Sequence, residues 1–396
     1  MNTMKRTLIL ILLTTAATAS LVSQNHYQWV LDTLMVNSPA FRAIAIERDA
    51  AQADATAGAL LDNPEVEFGY FWPDPQNNGK RWDLKVMQPF EMPQVYVHRA
   101  RIRHLMSECA NADYNRHRIE LLTEAQRVCS DMVYYNAYVT LYSHCVKSAE
   151  QLSKIFEKKL QAGECTILEY NRVQMDLAAT QNKLRMAEAE RDMMADDLQM
   201  LNGGKPLAFV QDTFSPTPLP ENYEEWFAVA SEKSPALTAL RQKQTLNKEQ
   251  TALAKSEWWP RFAAGYVSEN VVGDTYRGFA LQATLPLWRQ KGTIKKSRLA
   301  ETAAQAEYDN EYALQYNHLK GLYRKAVALQ QNLRHLQQTF DTFNSESLLL
   351  KAFEAGEISL EDYLRQIEFY HDSEISILEI AHELEQTVLQ LESYNL

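Results

Sequence analysis

The chain has 396 residues, 46% of them apolar and 23% charged, with only 12 glycines. That composition excludes a disordered or collagen-like chain, and its wealth of Leu, Ala, Glu, Gln, Lys and Arg favours long helices. A formal charge of −11 excludes a basic nucleic-acid-binding surface as the dominant feature.

In chain order, residues 1–23 read as a secretory signal peptide: Lys5 and Arg6, an apolar run of about a dozen residues, then Ala17-Thr18-Ala19. No cysteine stands near that site, which argues against a lipid anchor. No later apolar run approaches a membrane helix in length. Entry into a membrane would therefore require β-strands in a closed barrel. The first half of the mature chain, 24–202, predicts a helix over 26–62, two alternating strands, a helix from Pro93 to Ala162, a glycine turn and a helix over 165–202. A segment rich in Pro, Gly and Thr, 203–220, links it to the second half, 221–396. That half predicts a helix over 221–258, two strands, a helix over 291–356 and a last helix over 358–395.

The two halves are internal repeats. Ser38-Pro39-Ala40, Pro64 and Gly69-Tyr70 recur as Ser234-Pro235-Ala236, Pro260 and Gly265-Tyr266 at one offset of 196. "AGECTILEYNR" from Ala162 recurs as "AGEISLEDYLR" from Ala355 at an offset of 193. The long helix of each half, roughly 70 residues or about 105 Å, matches its two shorter helices laid end to end. Helices of that length imply packing in coiled-coil-like pairs.

The strand segments alternate with period two. Val66, Phe68, Tyr70 and Trp72 share one face, and Trp82, Leu84 and Val86 share one. So do Phe262 and Tyr266, and Phe279 and Leu281; the opposite positions are polar or small. These residues are expected to face lipid, with Trp258, Trp259 and Trp288 at strand ends as an aromatic girdle. The loops "DPQNNGK" and "ENVVGDT" carry hairpin-turn signals. Four strands are too few for a membrane barrel. Two copies would give eight strands, a bore filled by side chains, so a conducting pore favours three copies and twelve.

Enzyme motifs are missing: no Walker loop, GxSxG or HExxH occurs. Cys109, Cys129, Cys145 and Cys165 have neither CxxC nor metal spacing and read as unpaired thiols. His98 and His104 read as surface residues. No cofactor and no metal site is expected.

The sequence resembles the TolC-like outer-membrane efflux channel family over nearly all its mature length. "DNPEVEFGY" with "VMQPFEMP", "WWPRFAAGY" with "ATLPLWRQKG", and the two AGE turns carry the resemblance. It implies a mainly α fold with a β-barrel contribution: a homotrimer with a twelve-stranded outer-membrane barrel continued by an α-helical tunnel across the periplasm. It also implies a periplasmic adaptor protein and an inner-membrane pump as partners, with the chain a passive conduit. The turns Ala162-Gly163-Glu164 and Ala355-Gly356-Glu357 would be the adaptor-docking tips. Asp362 matches a position that often constricts the tip, whereas Arg365 stands where some members carry a second acid. Glu361, Asp362 and Arg365 are thus expected to set the aperture, with Glu169 and Arg172 as first-half counterparts. A soluble periplasmic coiled-coil scaffold or adaptor subunit is the alternative; it shares the helices and leaves the strands unexplained.

Overall fold

The computed structural model describes residues 27–57, 61–73, 79–215, 218–286 and 290–396. The expected signal peptide, Trp288 and most of the 74–80 loop lie outside them.

The first half builds α1 (Gln28–Asn37), α2 (Pro39–Ala57), β1 (Glu65–Phe71), β2 (Arg81–Phe90), α3 (Pro93–Ala162) and α4 (Ile167–Leu201). The second builds α5 (Tyr223–Lys233), α6 (Pro235–Ser256), β3 (Arg261–Val271), β4 (Asp274–Thr284), α7 (Gln290–Phe343), α8 (Glu346–Glu354) and α9 (Leu360–Glu392), closed by a 3₁₀ turn at Ser393–Asn395. Three segments expected as single helices are divided. Proline ends the preceding helix because it lacks the N–H that the ladder needs. It does so at Ser38-Pro39 and again at Ser234-Pro235, where the Ser234 hydroxyl caps Leu237. The third break, at Asn344-Ser345, has no proline and no counterpart in the unbroken 70-residue α3.

End-to-end stacking is visible at the equator of the molecule. The junction of α1 and α2 meets the end of α4, where Asn37 Nδ2 donates to Asn202 Oδ1 at 3.0 Å and Lys205 Nζ donates to Asn37 Oδ1 at 2.7 Å. Gly203 sits left-handed at φ 68, and a Cβ there would meet the Asn37 carbonyl at 2.7 Å. Both the turn and the close approach therefore require glycine. Beside this joint lies the main apolar core, from Tyr27, Leu31, Leu34, Leu122, Cys129 and Leu198. The 203–220 segment contributes Phe209, whose ring packs against Tyr27 and Trp29. A smaller core, Ala326, Val388 and Leu391 with Trp226 and Tyr323, plays the same part in the second half.

The four strands form one antiparallel meander in the order β1-β2-β3-β4, so the two repeats pair through β2 and β3. The outer edges of β1 and β4 have no partner strand among the described residues. No helix among the described residues is long and apolar enough to cross a membrane.

Candidate functional site

Register decides what the sheet presents, because a slip of one residue would send every side chain to the other face. Val66 pairs with Val86, Phe68 with Leu84 and Tyr70 with Trp82. Val86 pairs with Tyr266 and Phe90 with Phe262; Tyr266 pairs in turn with Phe279 and Ala264 with Leu281. All of the expected apolar strand residues thus fall on one face, and Trp72 continues it beyond β1, edge-on to Tyr70 at 5.3 Å. Much of the face is bare in the protomer: Phe279 is 95% exposed and Leu281 86%.

The apolar band is slanted. The rungs Phe68–Leu84 and Tyr70–Trp82 continue on the other side of the sheet as Ser268–Arg277 and Asn270–Thr275. Between β1 and β4 the band therefore steps two rungs, or four residues, toward the helices. Four residues at about 3.3 Å span about 13 Å. Strands about 4.8 Å apart and tilted about 40° displace a level line by about 4 Å per strand, or about 12 Å over three steps. The slant equals what a tilted barrel wall needs for its apolar belt to lie level.

The opposite face is mixed, with charged pairs beside Phe71, Met87, Val267 and Tyr276. Glu67 pairs with Lys85 at 3.9 Å and Arg81 with Glu269 at 2.7 Å. Gly69 lies under Asp83, whose Oδ1 would be 2.6 Å from an added Cβ; Gly265 lies under Met87 and the Val86 carbonyl, 2.0 Å from one. The repeated Gly-Tyr pair thus admits a β2 side chain on one face and sets tyrosine on the other. At the base of the sheet Glu91, with a side chain 4% exposed, binds Arg99 and Arg261 at 2.7 Å each. This buried clamp ties β2, α3 and β3 together. The sequence marks it only by a lone acid between Phe90 and Pro93.

The far end holds the two reversals. Gly163 at φ 74 and Gly356 at φ 75 are both left-handed. Each is followed by a glutamate whose N–H reaches back five residues, Glu164 to the Lys159 carbonyl and Glu357 to that of Ala352. These are glycine C-caps. A capping box follows the first turn and a serine N-cap the second. The Glu169 N–H donates to the Thr166 hydroxyl at 3.2 Å, and the Thr166 N–H donates back to Glu169 Oε2 at 2.7 Å. The Asp362 N–H donates to the Ser359 hydroxyl at 3.1 Å, which donates to Asp362 Oδ2 at 2.8 Å. Hydrogen bonds from the Thr166 backbone and hydroxyl hold the Glu169 carboxyl below its ordinary range. Arg365 pairs with Asp362, as their i, i+3 spacing predicts. Glu169 instead turns to Thr166, and Arg172 makes no ion pair with it. Ala162, Glu164, Ala355, Glu357 and Glu361 are exposed. The tips pack on each other through Leu152, Phe156, Val173, Tyr363 and Leu364, with Phe353 stacked on Tyr363 at 4.8 Å.

Among the described residues no group of three His, Cys, Asp or Glu side chains is placed to hold a metal ion. The four cysteines are free thiols, and burial pushes Cys129 up to about 12.

No protein-family model and no curated protein matches the sequence. Solved structures do. The CmeC outer membrane channel of Campylobacter jejuni is 13% identical with a TM-score of 0.74, over 94% of this chain and 85% of that one. The outer membrane protein VceC of Vibrio cholerae is 14% identical with a TM-score of 0.75, over 93% and 95%. The open-state MtrE outer membrane channel of Neisseria gonorrhoeae is 12% identical with a TM-score of 0.76, over 93% and 88%. The fold is that of an outer-membrane channel protomer. The matches leave no segment of domain size outside this channel fold, and these neighbours are channels or outer membrane proteins rather than enzymes.

Proposed function

We propose that this chain is one of three protomers of an outer-membrane exit duct, passively conducting substrates delivered by a periplasmic adaptor and an inner-membrane pump. Three copies of the meander close a twelve-stranded barrel in the outer membrane of a Gram-negative cell, and the helices continue it into the periplasm. The slanted apolar band carries this reading. A sheet with one bare apolar face and two open edges needs lipid on that face and strands on those edges. A soluble scaffold supplies neither. The channel fold of the neighbouring structures supports the same conclusion. Fractionation tests it: recovery in the outer membrane as an oligomer, with conductance in planar bilayers, is expected. A water-soluble periplasmic monomer would overturn it.

At the tips, we assign the two glycine turns to adaptor contact, and Glu361, Asp362, Arg365, Glu169 and Arg172 to the resting aperture. Glycine C-caps leave both loop backbones exposed for docking. Because the Ser359 N-cap hydroxyl donates to Asp362, Asp362→Asn is the informative change: it removes the charge and keeps an acceptor for that hydroxyl. Weaker cation block of the closed channel is expected. Closed-state conductance and block identical to the parent would remove these residues from the aperture.

A further inference from the structure

β4 runs through the apolar band and ends at Thr284, and α7 begins six residues later at Gln290. Its first turns carry Lys291, Lys295, Lys296 and Arg298, all exposed and none in an ion pair among the described residues. Cations in the first turns of a helix oppose its dipole, so this placement does not serve α7 itself. Lys291, Lys295 and Arg298, at i, i+4 and i+7, form one stripe. Ile294, Ser297 and Ala300, half-buried, lie on the side that continues to buried Ala304 and to Tyr308, which meets Arg241 of α6. The stripe therefore points away from α6. The equivalent start of α3 differs: Arg99 pairs with Glu91 and Glu257 and Arg101 with Glu249 at 3.7 Å, which leaves only exposed Arg103 without an ion pair among the described residues. In a chain of net charge −11, the start of α7 thus gathers four cations with no ion-pair partner among the described residues.

We propose that these residues form a cationic collar at the periplasmic rim of the barrel that binds the phosphates of anionic phospholipid headgroups. The inference rests on the barrel reading above, which puts the helix starts just below the apolar band, at headgroup depth. Charge complementarity selects the occupant. The apolar band holds the acyl chains, and the unpaired cations meet phosphates that would otherwise face only the counter-ions of the medium.

The full chain is inserted into vesicles of phosphatidylcholine alone and of phosphatidylcholine containing phosphatidylglycerol. Lipids retained after detergent extraction are then counted by native mass spectrometry. The native chain should retain phosphatidylglycerol over phosphatidylcholine, and raised salt should abolish the preference. Joint Lys291→Gln, Lys295→Gln, Lys296→Gln and Arg298→Gln substitution should lower it by at least about ten-fold. Arginine in place of the three lysines should restore it. If the glutamine variant inserts and keeps the native preference, the collar is overturned and the barrel reading stands. If the native chain inserts into neither vesicle, the barrel reading falls and takes the collar with it.

Discussion

Glu385 illustrates how a single side chain couples this protein to pH. It lies on α9 against the main core, 7% exposed, with the Tyr27 hydroxyl donating to it at 3.3 Å. Burial raises its carboxyl from the ordinary 4.5 to about 7, against the smaller lowering effect of Tyr27. The unfolded chain ionises first as pH rises, so stability is full below about 4.5 and is lost as pH climbs through about 7. Glu385→Gln keeps the acceptor for Tyr27 and removes the charge. It should stabilise the protein by on the order of 3 kcal/mol at pH ~8 and by less than ~1 kcal/mol at pH ~5, as read by denaturant unfolding at both. Equal effects at the two pH values would place the ionisation elsewhere. Tyr27 and Glu385 stand at opposite ends of the chain, and nothing local in either marks the contact. Gly163 and Gly356, in contrast, are legible from sequence because a left-handed turn leaves glycine as the favoured residue. Glu169 and Asp362 are recognisable as acids near the tips, yet only the structure shows that Glu169 closes a capping box with Thr166 and that Asp362 accepts from the Ser359 N-cap hydroxyl.

Among the elements, α8 stands apart. It has nine residues, below the ~12–15 at which an isolated helix becomes even marginally stable. It is bounded by Asn344-Ser345 and by Gly356. The 193-residue offset aligns 344–354 with 151–161, which runs uninterrupted inside α3. Phe353 holds α8 down, stacked on Phe156 at 6.1 Å and on Tyr363 at 4.8 Å, with the Lys159 ammonium 5.7 Å from its ring centre. Amide hydrogens of 346–354 should therefore exchange at least about ten-fold faster than those of 153–161 in mass-resolved exchange, and Phe353→Ala should widen the gap. Equal protection would mean that α8 is continuous with α7 in solution. This break was not legible in sequence, since "FNSESLLL" holds neither proline nor glycine and its helical periodicity resumes at once. Ser38-Pro39 and Ser234-Pro235 mark the repeat in the sequence, yet they lie inside patterns that read as continuous helices. A proline at the first position of a new helix leaves the stacked pair nearly collinear in pattern.

At the scale of the whole molecule, the duplicated pattern foretold the helical pairs and the strands, because each follows from local periodicity and turn chemistry. The slant of the apolar band was not foretold. It exists only once β2 and β3, far apart in sequence, are in register. That slant yields the sharpest test of the assembly. Leu281 lies near the middle of the band on β4, whereas its neighbour Gln282 points to the opposite face. An arginine on the lipid side at mid-depth costs about 2–4 kcal/mol per copy, so roughly 6–12 kcal/mol for three copies. The same residue facing a water-filled bore costs little. Leu281→Arg should abolish heat-modifiable oligomers in refolding into phosphatidylcholine vesicles, and Gln282→Arg should leave them intact while changing the ion selectivity of the open pore. If Gln282→Arg were as harmful as Leu281→Arg or more so, the opposite face would be the buried one, and the closed twelve-stranded wall would have to be given up.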